Sequence, residues 1–135
     1  MPLIEWNDSF ALNLQEVDAQ HRELVSMVNA LHDAMTEGRS KEAMGRTIDG
    51  LIDYTRSHFT LEEAYFDMFG YPDSDAHKAQ HQAFVDNVKD FKRGFDEDRL
   101  FLSLDVMNFL GDWLVEHIQG SDAEYAPYLT ERGVS

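Results

Sequence analysis

Apolar positions recur along most of the chain with the 3.6-residue period of an amphipathic helix. Four stretches show this period, each with one apolar stripe, and they cover roughly residues 19–37, 40–70, 73–94 and 103–120. No stretch keeps the two-residue alternation of a strand. Because the connections between the four stretches are short, the pattern predicts an all-α fold, an antiparallel up-down-up-down four-helix bundle.

Residues suited to helix ends lie at the borders of these stretches. Asp18, Ser40 and Ser103 offer side-chain oxygens that can cap the first turn of a helix. Gly38 and Gly70 suit the left-handed residue that commonly ends one. The borders of the first, second and fourth helices are therefore predicted from their caps as well as from their apolar period.

Length and charge narrow the classes of function. We expect a single domain over residues 1–135, with residues 1–17 as an N-terminal arm that lacks a helical period and packs across the bundle. The formal charge of −15 argues against binding nucleic acid or an anionic membrane surface. The sequence shows neither a secretory signal nor a stretch suited to membrane insertion, so we expect a cytoplasmic monomer.

Histidine and carboxylate side chains on the apolar stripes are the candidate chemistry. The chain has no cysteine, which excludes iron–sulfur clusters and thiolate-bound zinc. Two pairs spaced by four residues, His58 with Glu62 and His77 with His81, each lie on one helix face, about 6 Å apart along the axis. Nitrogen and carboxylate ligands on facing helices are how bundles build two-metal sites.

The remaining candidate ligands come from the first and fourth helices. His21 and His117 lie on the apolar stripes, and Asp122 follows His117 by five residues. In a regular helix that spacing puts the two side chains about 140° apart, too far to share a metal. A wider π-type turn or a break at Gly120 brings them together, so we predict a local distortion between Ile118 and Asp122.

This spacing of ligands resembles the hemerythrin family, and in particular its single-domain bacterial members, the bacteriohemerythrins. Further segments match, namely Val-Asp-Ala-Gln-His at 17–21, His-Phe-Thr-Leu-Glu-Glu at 58–63, Gly-Tyr-Pro at 70–72 and Trp-Leu-Val-Glu-His-Ile at 113–118. The resemblance covers the whole chain, and every expected ligand position holds the expected residue type. The expected ligands are His21, His58, Glu62, His77, His81, His117 and Asp122.

The resemblance implies a cofactor of two iron ions bridged by Glu62, Asp122 and a solvent-derived oxo or hydroxo group. It assigns His77, His81 and His117 to one iron, and His21 and His58 to the other. Five imidazoles, two bridging carboxylates and one oxygen bridge fill one six-coordinate metal and leave the other one position short. The family binds dioxygen reversibly at that position, which implies an oxygen carrier, store or delivery protein without catalytic residues.

Side chains near the ligands in sequence are the candidate oxygen pocket. Phe59, Trp113, Leu114 and Ile118 lie within four residues of His58 or His117, and none of them can deliver a proton. An apolar wall of this kind favours reversible binding over oxidation chemistry. As simple core residues they would have the same apolar character, so the two roles are compatible.

Three further polar residues are assigned roles outside the expected ligand set. Tyr125 is expected to orient Asp122, with ordinary packing an equal alternative. Glu63 is expected to be solvated surface. His32 lies about 16 Å along the helix from His21, too far to join the centre, and is expected to contact the C-terminal carbonyls of its helix.

Other readings remain open at the level of sequence. One inward histidine alone is more often a hydrogen-bonded core residue than a ligand, whereas five convergent ones favour a metal because unpaired buried polar groups are costly. A diiron centre also suits a redox enzyme acting on peroxide or nitric oxide, weak peroxidase-like activity, or an oxygen-sensing unit for a separate partner. A carrier, in turn, has dioxygen as its ligand and can hand it to an oxygen-consuming enzyme.

Overall fold

The computed structural model describes residues 2–135, and four long helices form its bundle. They are α1 (Gln15–Thr36), α2 (Lys41–Phe69), α3 (Ser74–Asp96) and α4 (Leu104–Glu116). α1 packs on α2 and α4, and α2 packs on α3. No strand occurs in the part of the chain that the structure describes. The predicted all-α four-helix bundle is confirmed.

Shorter helical segments flank the four long ones. A 3-10 turn (Asp8–Phe10) lies in the N-terminal arm, and a π-helical turn (His117–Asp122) followed by α5 (Ala123–Thr130) extends the chain beyond α4. The fourth helical stretch therefore continues past Gly120, where the apolar period predicts its end. Within residues 2–135, no helix combines the length and hydropathy needed to cross a membrane.

Most predicted helix ends are confirmed. Ser40 and Ser103 each accept a hydrogen bond from the backbone N–H three residues on, at 3.1 Å and 3.3 Å. Gly38 and Gly70 adopt left-handed backbone angles, with φ of +67° and +65°. These ends depend on neighbouring residues alone, which is why sequence predicts them.

The start of α1 differs from the prediction. The helix begins at Gln15, after Leu14, which makes no side-chain cap. Asp18 lies inside the first turn, and its Oδ1 accepts the Leu12 backbone N–H at 2.9 Å. Leu14 and Val17 are both buried, so packing extends the helix beyond the residue that resembles a cap.

Besides the contact of Leu12, hydrogen bonds tie the arm to the bundle at two further points. Asn29 on α1 accepts the Ile4 backbone N–H at 2.9 Å and donates to the Ile4 carbonyl at 2.8 Å. Further along, Gln119 Nε2 in the π-helical turn donates to Ser9 Oγ at 2.8 Å. The arm therefore contacts both the first helix and the irregular turn after α4.

The apolar period of residues 103–120 predicts Phe109 on the inward stripe of α4, and this prediction is wrong. Phe109 is 48% exposed, whereas Met107, Leu110 and Leu114 are buried. The buried positions follow one another at intervals of three and four residues, and Phe109 lies off that stripe. Its size and hydrophobicity favour the interior, but its position on the helix decides otherwise.

The core consists of two apolar clusters with a polar layer between them. On α1, Val17 belongs to one cluster and Leu24 to the other, with His21 between them. On α2, Phe66 and Phe59 are divided in the same way around Glu62. The candidate ligands therefore lie where the two clusters meet.

A pair of glycine substitutions on α2 tests the role of the left-handed stop. In Gly70→Ala the new methyl group meets nothing within 4 Å, so the expected loss of about 1 kcal/mol in unfolding free energy comes from backbone strain alone. Gly50→Ala, inside the helix and equally uncrowded, is expected to gain about 0.5–1 kcal/mol. Urea unfolding measures both, and equal effects would contradict the assignment.

Candidate metal centre

Seven buried polar side chains from α1, α2, α3 and the π-helical turn meet at one level of the bundle. Each is 5% exposed or less. Their donor atoms form two groups in which all atoms lie within 4.8 Å of one another. One group is Glu62, His77, His81, His117 and Asp122, and the other is His21, His58, Glu62 and Asp122. The structure thus brings together all seven residues that the sequence singles out.

The two carboxylates are common to both groups. Asp122 Oδ1 lies 2.9 Å from His77 Nε2 and 3.1 Å from His117 Nε2, while its Oδ2 lies 3.1 Å from His21 Nε2. Each Asp122 oxygen therefore faces a different group.

Glu62 spans the two groups in a similar way. Its Oε1 lies 3.0 Å from His58 Nε2 and 3.4 Å from His81 Nε2. All five imidazoles consequently turn Nε2 toward the carboxylates.

The predicted distortion after α4 is confirmed as a π-helical turn over His117–Asp122. A π turn closes hydrogen bonds to the fifth residue along the chain instead of the fourth, which puts residues five apart on the same side. Ser121 Oγ donates to Gln80 Oε1 on α3 at 2.8 Å and holds this turn against the bundle. The wide turn is what lets His117 and Asp122 face the same centre.

The imidazoles keep both carboxylates in the charged form. Burial and the nearby Asp122 raise the pKa of Glu62, but His58 and His81 outweigh them and lower it to about 2. Burial also raises the pKa of Asp122, while His117, His21 and His77 hold it well below its usual value. Deprotonated carboxylates are the form that binds cations.

Several polar atoms at the centre lack hydrogen-bond partners, which bears on whether these residues can hold a metal cation. His21 Nε2, His77 Nε2, Glu62 Oε1 and both Asp122 side-chain oxygens are buried without a well-formed hydrogen bond. Such a group costs about 1–3 kcal/mol when nothing pairs with it. Within residues 2–135, only histidines approach the two carboxylates within 4.0 Å as cationic partners. The residues therefore fit metal cations at this centre.

The mixture of donors narrows the metal. Imidazole nitrogen with carboxylate oxygen suits iron, manganese or zinc, whereas calcium and magnesium prefer oxygen ligands throughout. Two donor groups that share two carboxylates suit a pair of ions.

Two outer partners escaped sequence reasoning. Gln20 Oε1 lies 2.7 Å from His58 Nδ1, and Glu63 Oε2 lies 3.1 Å from His81 Nδ1. The expectation that Glu63 is solvated surface is therefore wrong. Each partner directly adjoins a candidate ligand in the chain but contacts a histidine on a neighbouring helix, and that adjacency is the signal by which sequence could have found them.

Tyr125 contacts the carboxylate of Glu62, whereas the sequence analysis expected it to orient Asp122. Its hydroxyl donates to Glu62 Oε2 rather than to Asp122. Burial, together with the charges of Glu62 and Asp122, raises the pKa of Tyr125 well above its ordinary value. The phenol therefore keeps its proton and acts as a hydrogen-bond donor to Glu62.

His32 belongs to neither donor group, as expected from its distance along α1. Its Nδ1 is buried without a hydrogen-bond partner and lies 3.9 Å from Asp33 Oδ1. The predicted interaction with the carbonyls at the end of α1 is therefore wrong, because no such hydrogen bond forms among the described residues.

A cavity of about 10 Å³ adjoins the donor atoms. This volume is about that needed to hold one water molecule. Its lining includes the four candidate pocket residues, Phe59, Trp113, Leu114 and Ile118, together with Thr55, which the sequence reasoning did not single out. Of the histidines it touches His21, His58 and His117, but not His77 or His81.

Two aromatic rings of this lining hold ligand-type histidines by stacking. Phe59 lies 3.7 Å from the His81 ring centroid with an interplanar angle of 4°. Trp113 lies 4.4 Å from that of His117 at 12°. These side chains therefore fix the orientation of two imidazoles while they wall the cavity.

A bundle with a buried histidine and carboxylate centre defines a class of cation-binding proteins, and comparison with known proteins identifies the family. The hemerythrin HHE cation binding domain matches residues 12–129. The chain belongs to the hemerythrin family.

Individual relatives agree over nearly the whole chain. A bacteriohemerythrin of Stenotrophomonas maltophilia is 38% identical across 93% of this chain and 81% of its own length. A bacteriohemerythrin of Methylococcus capsulatus is 37% identical across 96% and 99%. A crystal structure of wild-type hemerythrin superposes with a TM-score of 0.88 at 36% identity, covering 93% of this chain and 96% of the other.

Removing the Tyr125 hydroxyl tests its support of Glu62. Tyr125→Phe leaves a buried carboxylate oxygen without its donor, so we expect a loss of about 2 kcal/mol in unfolding free energy. Tyr65→Phe is the matched control, because that hydroxyl makes only a long, exposed contact of 3.4 Å to Glu16 and should change stability by less than about 0.5 kcal/mol. Urea unfolding at equal metal content compares them, and similar losses would contradict the role of Tyr125.

Proposed function

We propose that this protein binds dioxygen reversibly at a pair of iron ions. The residues proposed to hold the metals are the seven that converge in the bundle. Glu62 and Asp122 bridge, His77, His81 and His117 complete one ion, and His21 and His58 serve the other. This assignment follows the membership of the two donor groups.

The position of the cavity is the observation that carries the proposal. The group with two imidazoles has fewer donors than the group with three, so its metal is the one with a free coordination position. The cavity touches both histidines of that smaller group, His21 and His58, but only one of the three in the larger group, His117. Space for a small ligand therefore lies beside the metal that has room to bind it.

The lining of the cavity supports binding without further chemistry. Iron, when bound, supplies the free coordination position and the electrons that reversible dioxygen binding requires. Phe59, Trp113, Leu114 and Ile118 exclude water from that position and carry no acidic proton. Tyr125, whose hydroxyl is committed to Glu62, holds the bridging carboxylate in place. Reversible binding of this kind suits a protein that carries, stores or delivers oxygen.

A cycle of reduction and oxygenation tests the function. The iron-loaded protein is reduced without air, exposed to dioxygen and then returned to an inert atmosphere. We expect a visible absorption band that appears with oxygen and disappears on its removal, over repeated cycles. Irreversible bleaching with consumption of peroxide would instead identify a redox enzyme.

Loss of one proposed ligand should lower metal content. His77→Ala removes a donor from the larger group, so we expect less iron per chain and lower thermal stability together, since metal binding contributes to folding. His32→Ala is the control, as this histidine lies outside both donor groups. Metal analysis and thermal unfolding measure the two effects, and full iron content in His77→Ala would contradict the assignment.

Opening the cavity wall should shorten the life of the oxygenated form. Leu114→Ala enlarges the space beside the metal and admits water, so we expect autoxidation to accelerate several-fold. Leu31→Ala removes a similarly buried leucine from the same core cluster without touching this cavity. Decay of the visible band measures the rate, and an equal rate in both variants would remove the argument for a protective wall.

A further inference from the structure

Two of the central imidazoles have outer partners of unlike charge. His58 Nδ1 lies 2.7 Å from an amide oxygen of Gln20, and His81 Nδ1 lies 3.1 Å from a carboxylate oxygen of Glu63. Both rings turn Nε2 toward the centre, and when Nε2 binds a metal the ring proton lies on Nδ1 and is donated outward. One imidazole therefore donates to a neutral acceptor and the other to an anion.

The two imidazoles belong to different donor groups. His81 is one of the three histidines in the larger group, and His58 is one of the two in the smaller group. The difference between amide and carboxylate is thus a difference between the two proposed metals. Neither His77 nor His117 is contacted at Nδ1 by a carboxylate within 4.0 Å in the described chain, so Glu63 supplies the only such contact to the larger group.

The charge of the hydrogen-bond acceptor changes how strongly the imidazole donates electrons to a metal. A carboxylate attracts the Nδ1 proton more strongly than an amide does, which raises electron density on the ring and its strength as a donor. A stronger donor stabilises the higher oxidation state of a metal more than the lower one. The metal beside His81 is therefore easier to oxidise than the metal beside His58.

We propose that Glu63 and Gln20 are positioning residues that make the two metals unequal. Glu63 favours oxidation of the metal held by three histidines, and Gln20 leaves the metal beside the cavity harder to oxidise. This inference rests on the proposed diiron function and concerns which of the two ions is oxidised first.

The surroundings of Glu63 direct its charge at His81. The glutamate side chain is 31% exposed, and no lysine or arginine nitrogen of residues 2–135 lies within 4.0 Å of it. His81 is 2% exposed, and Phe59 stacks flat against its ring, which fixes the direction of Nδ1. The carboxylate therefore has the imidazole as its close partner.

The chain allows a reciprocal exchange that tests the inference. Glu63→Gln removes the charge and keeps the shape, whereas Gln20→Glu places a charge on the other imidazole. The midpoint potentials of the iron-loaded variants are measured by anaerobic titration with redox mediators. We expect Glu63→Gln to raise the lower potential and Gln20→Glu to lower the higher one, each by about tenfold in the equilibrium constant, which is about 59 mV for one electron.

Pulsed electron paramagnetic resonance of the half-oxidised protein gives a second readout that does not depend on oxygen binding. Histidine nitrogens on the ferric ion can be counted from their couplings. We expect three in the unaltered protein and two in the double variant Glu63→Gln/Gln20→Glu, because the exchange moves the charged acceptor to the other group. Asp53→Asn is the control, since it removes an exposed charge from α2 about 15 Å from Glu63 along the helix.

The outcomes separate this inference from the function beneath it. Iron-loaded variants that oxygenate reversibly but keep the potentials of the unaltered protein would overturn the inference and leave the function intact. A shift of the same size in Asp53→Asn would overturn it as well, by showing a general effect of charge. If Glu63→Gln fails to retain iron, Gln20→Glu carries the test alone. An unaltered protein that binds no iron would overturn the proposed function itself.

Discussion

Burial of two charged carboxylates in the middle of the bundle is the constraint on which the structure depends. Glu62 and Asp122 are fully buried, and such charges are tolerated only when partners surround them. Five imidazoles, one tyrosine hydroxyl and the proposed cations are those partners. The apolar clusters on either side exclude water, which strengthens every interaction in the polar layer. The bundle thus supports a centre that no single helix could stabilise.

The π-helical turn connects the buried carboxylates to the N-terminal arm and to α3. Asp122 joins the centre only because the helix widens after His117. Two contacts hold that turn, one from Gln119 to Ser9 in the N-terminal arm and one from Ser121 to Gln80 on α3. The arm, which has no helical period of its own, is thereby connected to the site. A local irregularity that is unfavourable in isolation is maintained by packing on both sides.

Unequal surroundings give the two halves of the centre different properties. The cavity borders both histidines of the smaller donor group and one of the larger group, His117, while the anionic Glu63 contacts His81 of the larger group. Phe59 stacks on His81 and Trp113 stacks on His117, so each ring fixes one imidazole of the larger group. Both aromatic rings also line the cavity. Contact with the cavity and contact with a charged outer partner therefore differ between the two donor groups. The shared carboxylates are the only ligand-type residues common to both groups.

Sequence by itself determined the features that depend on near neighbours. The caps at Ser40 and Ser103, the stop at Gly70 and the ligand pairs spaced by four residues follow from local geometry, and the five-residue spacing before Asp122 required an irregular turn. Only the tertiary structure decided which helices face each other and therefore which partners meet. Asp18 accepts a hydrogen bond from the arm instead of capping α1, and Phe109 is exposed instead of buried in the core. Glu63 contacts His81, and Tyr125 donates its hydrogen bond to Glu62 instead of Asp122. The contacts of Glu63 and Tyr125 join residues 18 and 63 positions apart in the chain, which spacing along one helix does not encode.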